Sequence, residues 1–223
     1  MTLAITGASG KTGWRIADEA LQRGQSVRAI LRPSSQLPAE LEGRPGLEVV
    51  RLELGDRAAL VQALGGCEAL VIATGARPSV DLAGPLKVDA LAIRDQITAC
   101  KATGVHRVVL VSSLCAGRWL HPLNLFGLIL VWKRLGEQWL EHSGLDWTIV
   151  RPGGLSEDDS RAEREGILYS GPDRQENNSI PRRLVARVCL DSLGTAKAIG
   201  RIIEITSSSQ QQACSLDSWL ADA

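Results

Sequence analysis

Two hydrophobic rhythms alternate along this chain. Short, nearly continuous apolar runs stand at about 2–6, 26–31, 47–52, 69–73, 107–111 and 147–150. Between them, apolar residues recur every third or fourth position. The first pattern is that of strands covered on both faces, and the second that of amphipathic helices. The helix expected over 11–23 puts Trp14, Ile16, Ala17, Ala20 and Leu21 on its apolar face and Asp18, Glu19 and Arg23 outside, with Gly24 ending it. A second covers Ala58, Leu60, Val61 and Leu64. A third, over about 84–103, carries Leu86, Ala90, Ile93, Ile97 and Cys100 on one face and stops at Gly104. A fourth runs through Lys133 and Glu137 to His142 and closes at Gly144. The tail is less regular: a charged loop at 156–165, a short strand at 166–170, a helix near 181–193, a strand near 200–206 and a terminal helix near 214–220. Strands alternating with helices specify an α/β, Rossmann-type, doubly wound parallel sheet joined by right-handed crossovers.

Ligands of such sheets lie beyond the carboxyl ends of the strands. The chain's notable loops, 7–13, 32–35, 55–56, 74–77, 112–115 and 152–155, each follow an expected strand and so line one cleft. The first reads Gly7-Ala8-Ser9-Gly10-Lys11-Thr12-Gly13. Glycines there let a buried strand turn sharply into a helix. They also let backbone N–H groups approach a pyrophosphate at the positive end of the helix dipole. The spacing is G-x-x-G-x-x-G, not the common G-x-G-x-x-G. Gly10-Lys11-Thr12 does not complete a P-loop, because Gly7 stands too close to Gly10. After the second strand the chain reads Leu31-Arg32-Pro33-Ser34-Ser35, with no carboxylate until Glu40. NAD sites place an acidic residue in that zone to bind ribose hydroxyls. A cation with two hydroxyls suits the 2′-phosphate of NADP(H). The expectation is one domain over 1–223, with 1–150 as the nucleotide-binding core and 151–223 completing the sheet and an acceptor cleft.

Composition narrows this further. In 223 residues, 25 Lys and Arg balance 25 Asp and Glu, so nothing global points to nucleic acid. Five cysteines, at 67, 100, 115, 189 and 214, show no CxxC spacing and no His/Cys cluster. That favours a reducing, cytoplasmic setting without a metal site. The chain enters a strand at once and no apolar run is long enough to span a membrane, so neither a signal peptide nor a transmembrane segment is expected. Trp119 to Trp132 is apolar almost throughout, and its part from 123 to 132 is expected to be a helix without a polar face. Such a helix is buried, or meets a protein partner or a second copy of the chain.

The motifs TGASGKTG at the start, Leu31-Arg32, Gly55-Asp56, VIATGA at 71–76, LVSS at 110–113, Lys133 in a helix ending HSGL, and WTIVRPGGL at 147–155 occur together. With them, the chain resembles the atypical short-chain dehydrogenase/reductase superfamily, the NmrA-like NAD(P)H-binding group that includes flavin and biliverdin reductases. The resemblance covers essentially the whole chain. It implies that Gly7, Ser9, Gly10, Lys11, Thr12 and Gly13 hold the pyrophosphate and Arg32 the 2′-phosphate. It further implies Asp56 at the adenine, Thr74 and Gly75 at the nicotinamide-side ribose, and Pro152, Gly153 and Leu155 against the nicotinamide. Ser112 matches the active-site serine and Lys133 the ribose-binding lysine.

One departure bears on chemistry. The superfamily's usual acid is a tyrosine four residues before the lysine, and here that residue is Ile129; the only tyrosine is Tyr169. Hydride transfer to a flavin or a tetrapyrrole needs stacking more than an enzymatic acid. The expectation is therefore an NADPH-dependent reductase of a flat conjugated acceptor, with a non-catalytic NADP(H) sensor or tethering protein as the alternative. His121 as proton donor, and Trp119 and Trp132 as stacking surfaces, are further candidates, each with a structural role open to it. The 156–165 loop is a candidate lid.

Overall fold

The computed structural model describes residues 2–75, 83–116, 118, 122–125 and 128–222. Eight strands form the central sheet in the order β3-β2-β1-β4-β5-β6-β10-β8. They are β1 (Thr2–Thr6), β2 (Ser26–Leu31), β3 (Leu47–Arg51), β4 (Ala69–Ile72), β5 (Arg107–Val111), β6 (Asp146–Pro152), β8 (Gly166–Ser170) and β10 (Arg201–Ser208). Neighbours pair in parallel, as expected of the doubly wound class, and only the added β8–β10 edge is antiparallel. At β1, which sits centrally, Leu3, Ala4, Ile5 and Thr6 are all buried. Their continuous burial is why this run lacks alternation.

Two apolar layers sandwich the sheet. On one face α1 (Gly13–Gln22) and α6 (Arg182–Gly194) pack together, burying Ile16, Ala17, Ala20, Val185 and Val188. The other face carries α2 (Arg57–Leu64), α4 (Ala92–Thr103) and α5 (Ile129–Glu141), with Leu60, Leu64, Ile93, Ile97 and Leu140 in its core. A helical turn, α3 (Ala83–Pro85), and the C-terminal helix α7 (Leu216–Asp222) complete the α-helical elements among the described residues. None of these is long and apolar enough to cross a membrane.

Three local features depart from the sequence pattern. The expected helix over 84–103 is present from Ala83 to Thr103, but its Leu86–Leu91 part is a π turn between the regular α geometry of Ala83–Pro85 and Ala92–Thr103. The expected apolar helix over 123–132 is not one helix. Pro122–Leu125 is a 3₁₀ turn, Leu128 has φ +56°, and α5 begins only at Ile129. Asn124 braces this join, its Oδ1 accepting from the Leu130 N–H at 3.0 Å. Finally, β7 (Gly154–Ser156) and β9 (Ser179–Pro181) make a small parallel sheet that the sequence reading did not anticipate.

Candidate functional site

The glycine loop is built by contact at the level of the backbone. Gly7 has φ +77°, and a Cβ there would lie 2.6 Å from the Ala73 carbonyl oxygen, at the end of β4. A Cβ at Gly13 would lie 2.1 Å from the Gly7 carbonyl oxygen. The same carbonyl accepts from the Gly10 N–H at 2.8 Å. Gly7 and Gly13 therefore let the strand-to-helix turn close on itself. Ser9, Lys11 and Thr12 occupy the rest of the turn. Thr12 stands at the N-cap position without a side-chain capping bond, while the Trp14 N–H is taken by the Gly10 carbonyl at 3.0 Å.

Arg32 follows β2 directly and is exposed, and the Ser35 N–H closes a turn onto its carbonyl at 3.0 Å. A second cation, missed in the sequence, stands beside it. Arg51 ends β3, pairs in register with Leu31, and donates to the Ser35 carbonyl. Two arginines thus flank the 32–35 turn. Asp56 is exposed and caps α2, its Oδ1 accepting from the Ala59 N–H at 3.0 Å.

At the ends of β4 and β5, Thr74 Oγ1 and Ser112 Oγ are buried and have no hydrogen-bond partner among the described residues. Buried polar groups are nearly always satisfied, so two such hydroxyls at neighbouring strand ends are candidate positions for a ligand. Three residues after Ser112, Cys115 sits at φ +62°, an uncommon conformation for a side chain of this kind.

Lys133 projects from α5 onto Asp89, Nζ to Oδ1 at 2.8 Å, and Asp89 is only 1% exposed. Gly75 adjoins them, since a Cβ there would stand 3.6 Å from the Lys133 Nζ. Asp89 belongs to the π turn, a geometry that recurs at functional sites. Gly136, one turn beyond Lys133, makes the close approach possible, because a Cβ there would lie 2.4 Å from the Asp89 carbonyl oxygen. The sequence held a signal for Asp89. It shares the stripe of Leu86, Ala90 and Ile93, where a carboxylate needs a reason.

Gly153 is equally constrained: a Cβ would meet the Asn178 carbonyl oxygen at 2.5 Å, and its N–H donates to Ile205 at 2.9 Å. Pro152 is buried at the end of β6, while Leu155 on β7 is 40% exposed toward solvent. Arg151 just before them is fully enclosed. It binds Glu137 of α5 through two nitrogens at 2.9 and 2.7 Å and also reaches Asp173 and Glu204. Burial alone would depress its pKa, but these carboxylates reverse that and hold the charge. The Glu204 carboxylate accepts in turn from the N–H groups of Asp173, Arg174 and Gln175. This network ties β6, α5 and β10 together beneath the cleft.

Ile129 is buried with Leu114, Cys115 and Leu130. Tyr169 is on β8, stacked on Trp219 at 5.6 Å between ring centroids, and burial raises its pKa. Among the described residues, no tyrosine stands near Lys133. Trp132 lies in the first turn of α5. It lines a cavity of about 760 Å³ with Val131, Leu135, Arg151 and Ile202, and none of the expected site residues lines that cavity. Its arginines are already matched: Arg118 by Glu176, Arg134 by Glu137 and Glu141, and Arg151 as above. Trp119, His121, Phe126, Gly127 and the 76–77 end of the β4 loop lie outside the described residues.

A bare glycine loop at the start of α1, two unpartnered hydroxyls at the ends of β4 and β5, and a lysine fixed on a buried aspartate define a dinucleotide-binding protein of the Rossmann class. The residues fit such a cofactor: no side chain caps the turn into α1 at Thr12, its glycines let a ligand approach the backbone, and the two hydroxyls have no partner among the described residues. The chain belongs to the NAD(P)H-binding family, whose model matches residues 7–196. It is 36% identical to an uncharacterised chloroplastic protein of Arabidopsis thaliana, over 90% of this chain and 75% of that protein. It is 30% identical to sanguinarine reductase of Eschscholzia californica, over 86% of this chain and 84% of the relative. Among solved structures it is similar to ChuY, an anaerobilin reductase of Escherichia coli O157:H7. There the TM-score is 0.74 at 25% identity, covering 96% of this chain and all of that one.

Proposed function

We propose that this chain is an NADPH-dependent reductase of a flat conjugated acceptor such as a flavin or a tetrapyrrole, working without an enzymatic tyrosine. The observation that carries this reading is Ile129. An apolar side chain, buried among Leu114, Cys115 and Leu130, stands where a proton-donating tyrosine would be needed for carbonyl reduction. When bound, the cofactor supplies the hydride. The work left to the chain is positioning. The glycine loop anchors the diphosphate through backbone N–H groups. Arg32 and Arg51 take the 2′-phosphate and favour NADPH over NADH. Lys133, held by Asp89, meets the ribose, and Ser112 and Thr74 orient the groups nearest the transfer. Pro152, Gly153 and Leu155 form one wall of the acceptor cleft, and solvent delivers the proton to the reduced acceptor. The names of the sanguinarine and anaerobilin reductases to which the chain is similar agree with such a role.

The test is steady-state NADPH oxidation with a panel of acceptors. FMN or an open-chain tetrapyrrole is expected to turn over well above the buffer rate, and simple ketones and aldehydes are not. Turnover of ketones with none of the flat acceptors would overturn the assignment.

A further inference from the structure

The segment after β7 ends against the glycine loop and leaves one cation unmatched. The β7–β9 register puts Ser156 opposite Pro181, so Glu157 and Arg182 leave the small sheet side by side. Glu157 forms an ion pair with Lys11 on the glycine loop. Two residues on, Asp159 accepts from Arg15 Nε through both oxygens, at 2.9 and 2.8 Å. Arg15 also donates to the Lys11 carbonyl at 2.7 Å. The Glu157 carboxylate therefore lies among Lys11, Arg182 and Arg15, and these cations, Lys11 foremost, hold it below the usual carboxylate range.

Asp159 is committed to Arg15, but Arg182 has no such match. Its Nε is buried with no partner, and no hydrogen bond or ion pair joins it to a described residue. Burial draws its pKa below that of a free arginine. A partly desolvated guanidinium without a partner is costly, and its planar fork suits a phosphate or a carboxylate. Leu155, expected against the nicotinamide, lies two residues before Glu157. That is about 7 Å of extended chain, the reach of a short tail on a ring system seated over Gly153–Leu155.

We propose that Arg182 and Lys11 bind the anionic group of the acceptor, a phosphate or carboxylate carried on the flat conjugated molecule, and that Glu157 occupies this place until the acceptor displaces it. The proposal rests on the reductase reading for the identity of the ligand. Its chemistry is shared by the cofactor's own diphosphate, so the experiment separates the two sources.

FMN and riboflavin differ only by the phosphate. Each is titrated into the NADP⁺-saturated protein at low salt, following flavin fluorescence. FMN is expected to bind the wild type at least roughly ten-fold tighter, the value of one charged hydrogen bond. In R182Q that ratio is expected to fall close to one, and R182K, which keeps the charge, to recover part of it. E157Q removes the competing carboxylate and is expected to tighten FMN binding several-fold. Equal binding of the two flavins by the wild type, or a ratio that R182Q leaves intact, overturns the proposal. So does an R182Q variant whose loss falls on NADPH affinity instead, because Arg182 then serves the cofactor. The titration does not depend on turnover: FMN bound in this way but never reduced keeps the anion site and sinks only the reductase reading.

Discussion

Gly13→Ala sets two well-understood effects against each other. Gly13 opens α1 and has no positive φ, so alanine would ordinarily favour the helix by about 1 kcal/mol. The structure predicts the opposite sign. The new Cβ would lie 2.1 Å from the Gly7 carbonyl oxygen and 2.7 Å from its carbon, both backbone atoms, whereas ordinary contact begins at 3.4 Å. Relief needs a displacement of the difference, above 1 Å, and the carbonyl that must move is the acceptor of the 2.8 Å bond from Gly10. Overpacking of this kind costs about 1–3 kcal/mol, and the weakened hydrogen bond about 1 more. After the helix gain, a net loss of about 1–3 kcal/mol remains, or roughly 3–10 °C in Tm for a chain of this size. The loop N–H groups would be misaligned as well. Loss of one charged hydrogen bond to the diphosphate corresponds to roughly a ten- to hundred-fold weaker NADPH complex. Thermal unfolding and a fluorescence titration with NADPH read both quantities. An unchanged or raised Tm with NADPH affinity within about threefold of wild type would refute the packing argument.

Arg32→Ala is expected to weaken NADPH binding roughly ten- to hundred-fold while sparing NADH, with Arg51→Ala acting in the same direction; equal losses for both cofactors would reject the phosphate role. Asp18 gives a pH prediction. Burial would raise its pKa, but hydrogen bonds from Arg183 and Arg44 outweigh that and hold the carboxyl below its ordinary 3.8. A depressed folded-state pKa contributes stability at neutral pH that is lost as pH falls through the folded value. D18N should therefore be less stable than wild type at pH 7, by about 1.5–3 kcal/mol, and the gap in Tm should close in acid below the usual carboxylate range. A gap that stays constant with pH would contradict this. Glu137→Gln leaves the enclosed Arg151 short of charge compensation, and an unfolding titration should register about 3–5 kcal/mol.

The sheet and the glycine loop were legible because burial on both faces writes itself as unbroken apolar runs, and because a sharp strand-to-helix turn needs small residues. Ser112 and Lys133 came from motif position, not from any physical pattern. What the sequence hid depends on tertiary contact. The π turn at Leu86–Leu91 has an ordinary helical pattern in the sequence, and α5 meets it closely where Gly136 packs on Asp89. The same contact fixes the Lys133–Asp89 pair, which no spacing rule joins across the intervening β5. Arg151 lies inside an apolar strand, and its enclosure by Glu137 and Glu204 is set by the meeting of β6, α5 and β10. The run over 123–132 misled for a related reason. Hydrophobicity marks burial there, but Leu128 at positive φ divides a 3₁₀ turn from α5.

As a reductase of the proposed kind, this protein would pass a hydride from NADPH to a flat acceptor although Ile129 stands where the acid would be. The most direct measurement is an anaerobic single turnover, mixing the protein–NADPH complex with FMN and following the nicotinamide and flavin bands together. One FMN should be reduced for each NADPH oxidised, faster than in buffer, with no gain when tyrosine replaces Ile129. Tight NADPH binding with no oxidation in the wild type, or hydride transfer that begins only in I129Y, would contradict it.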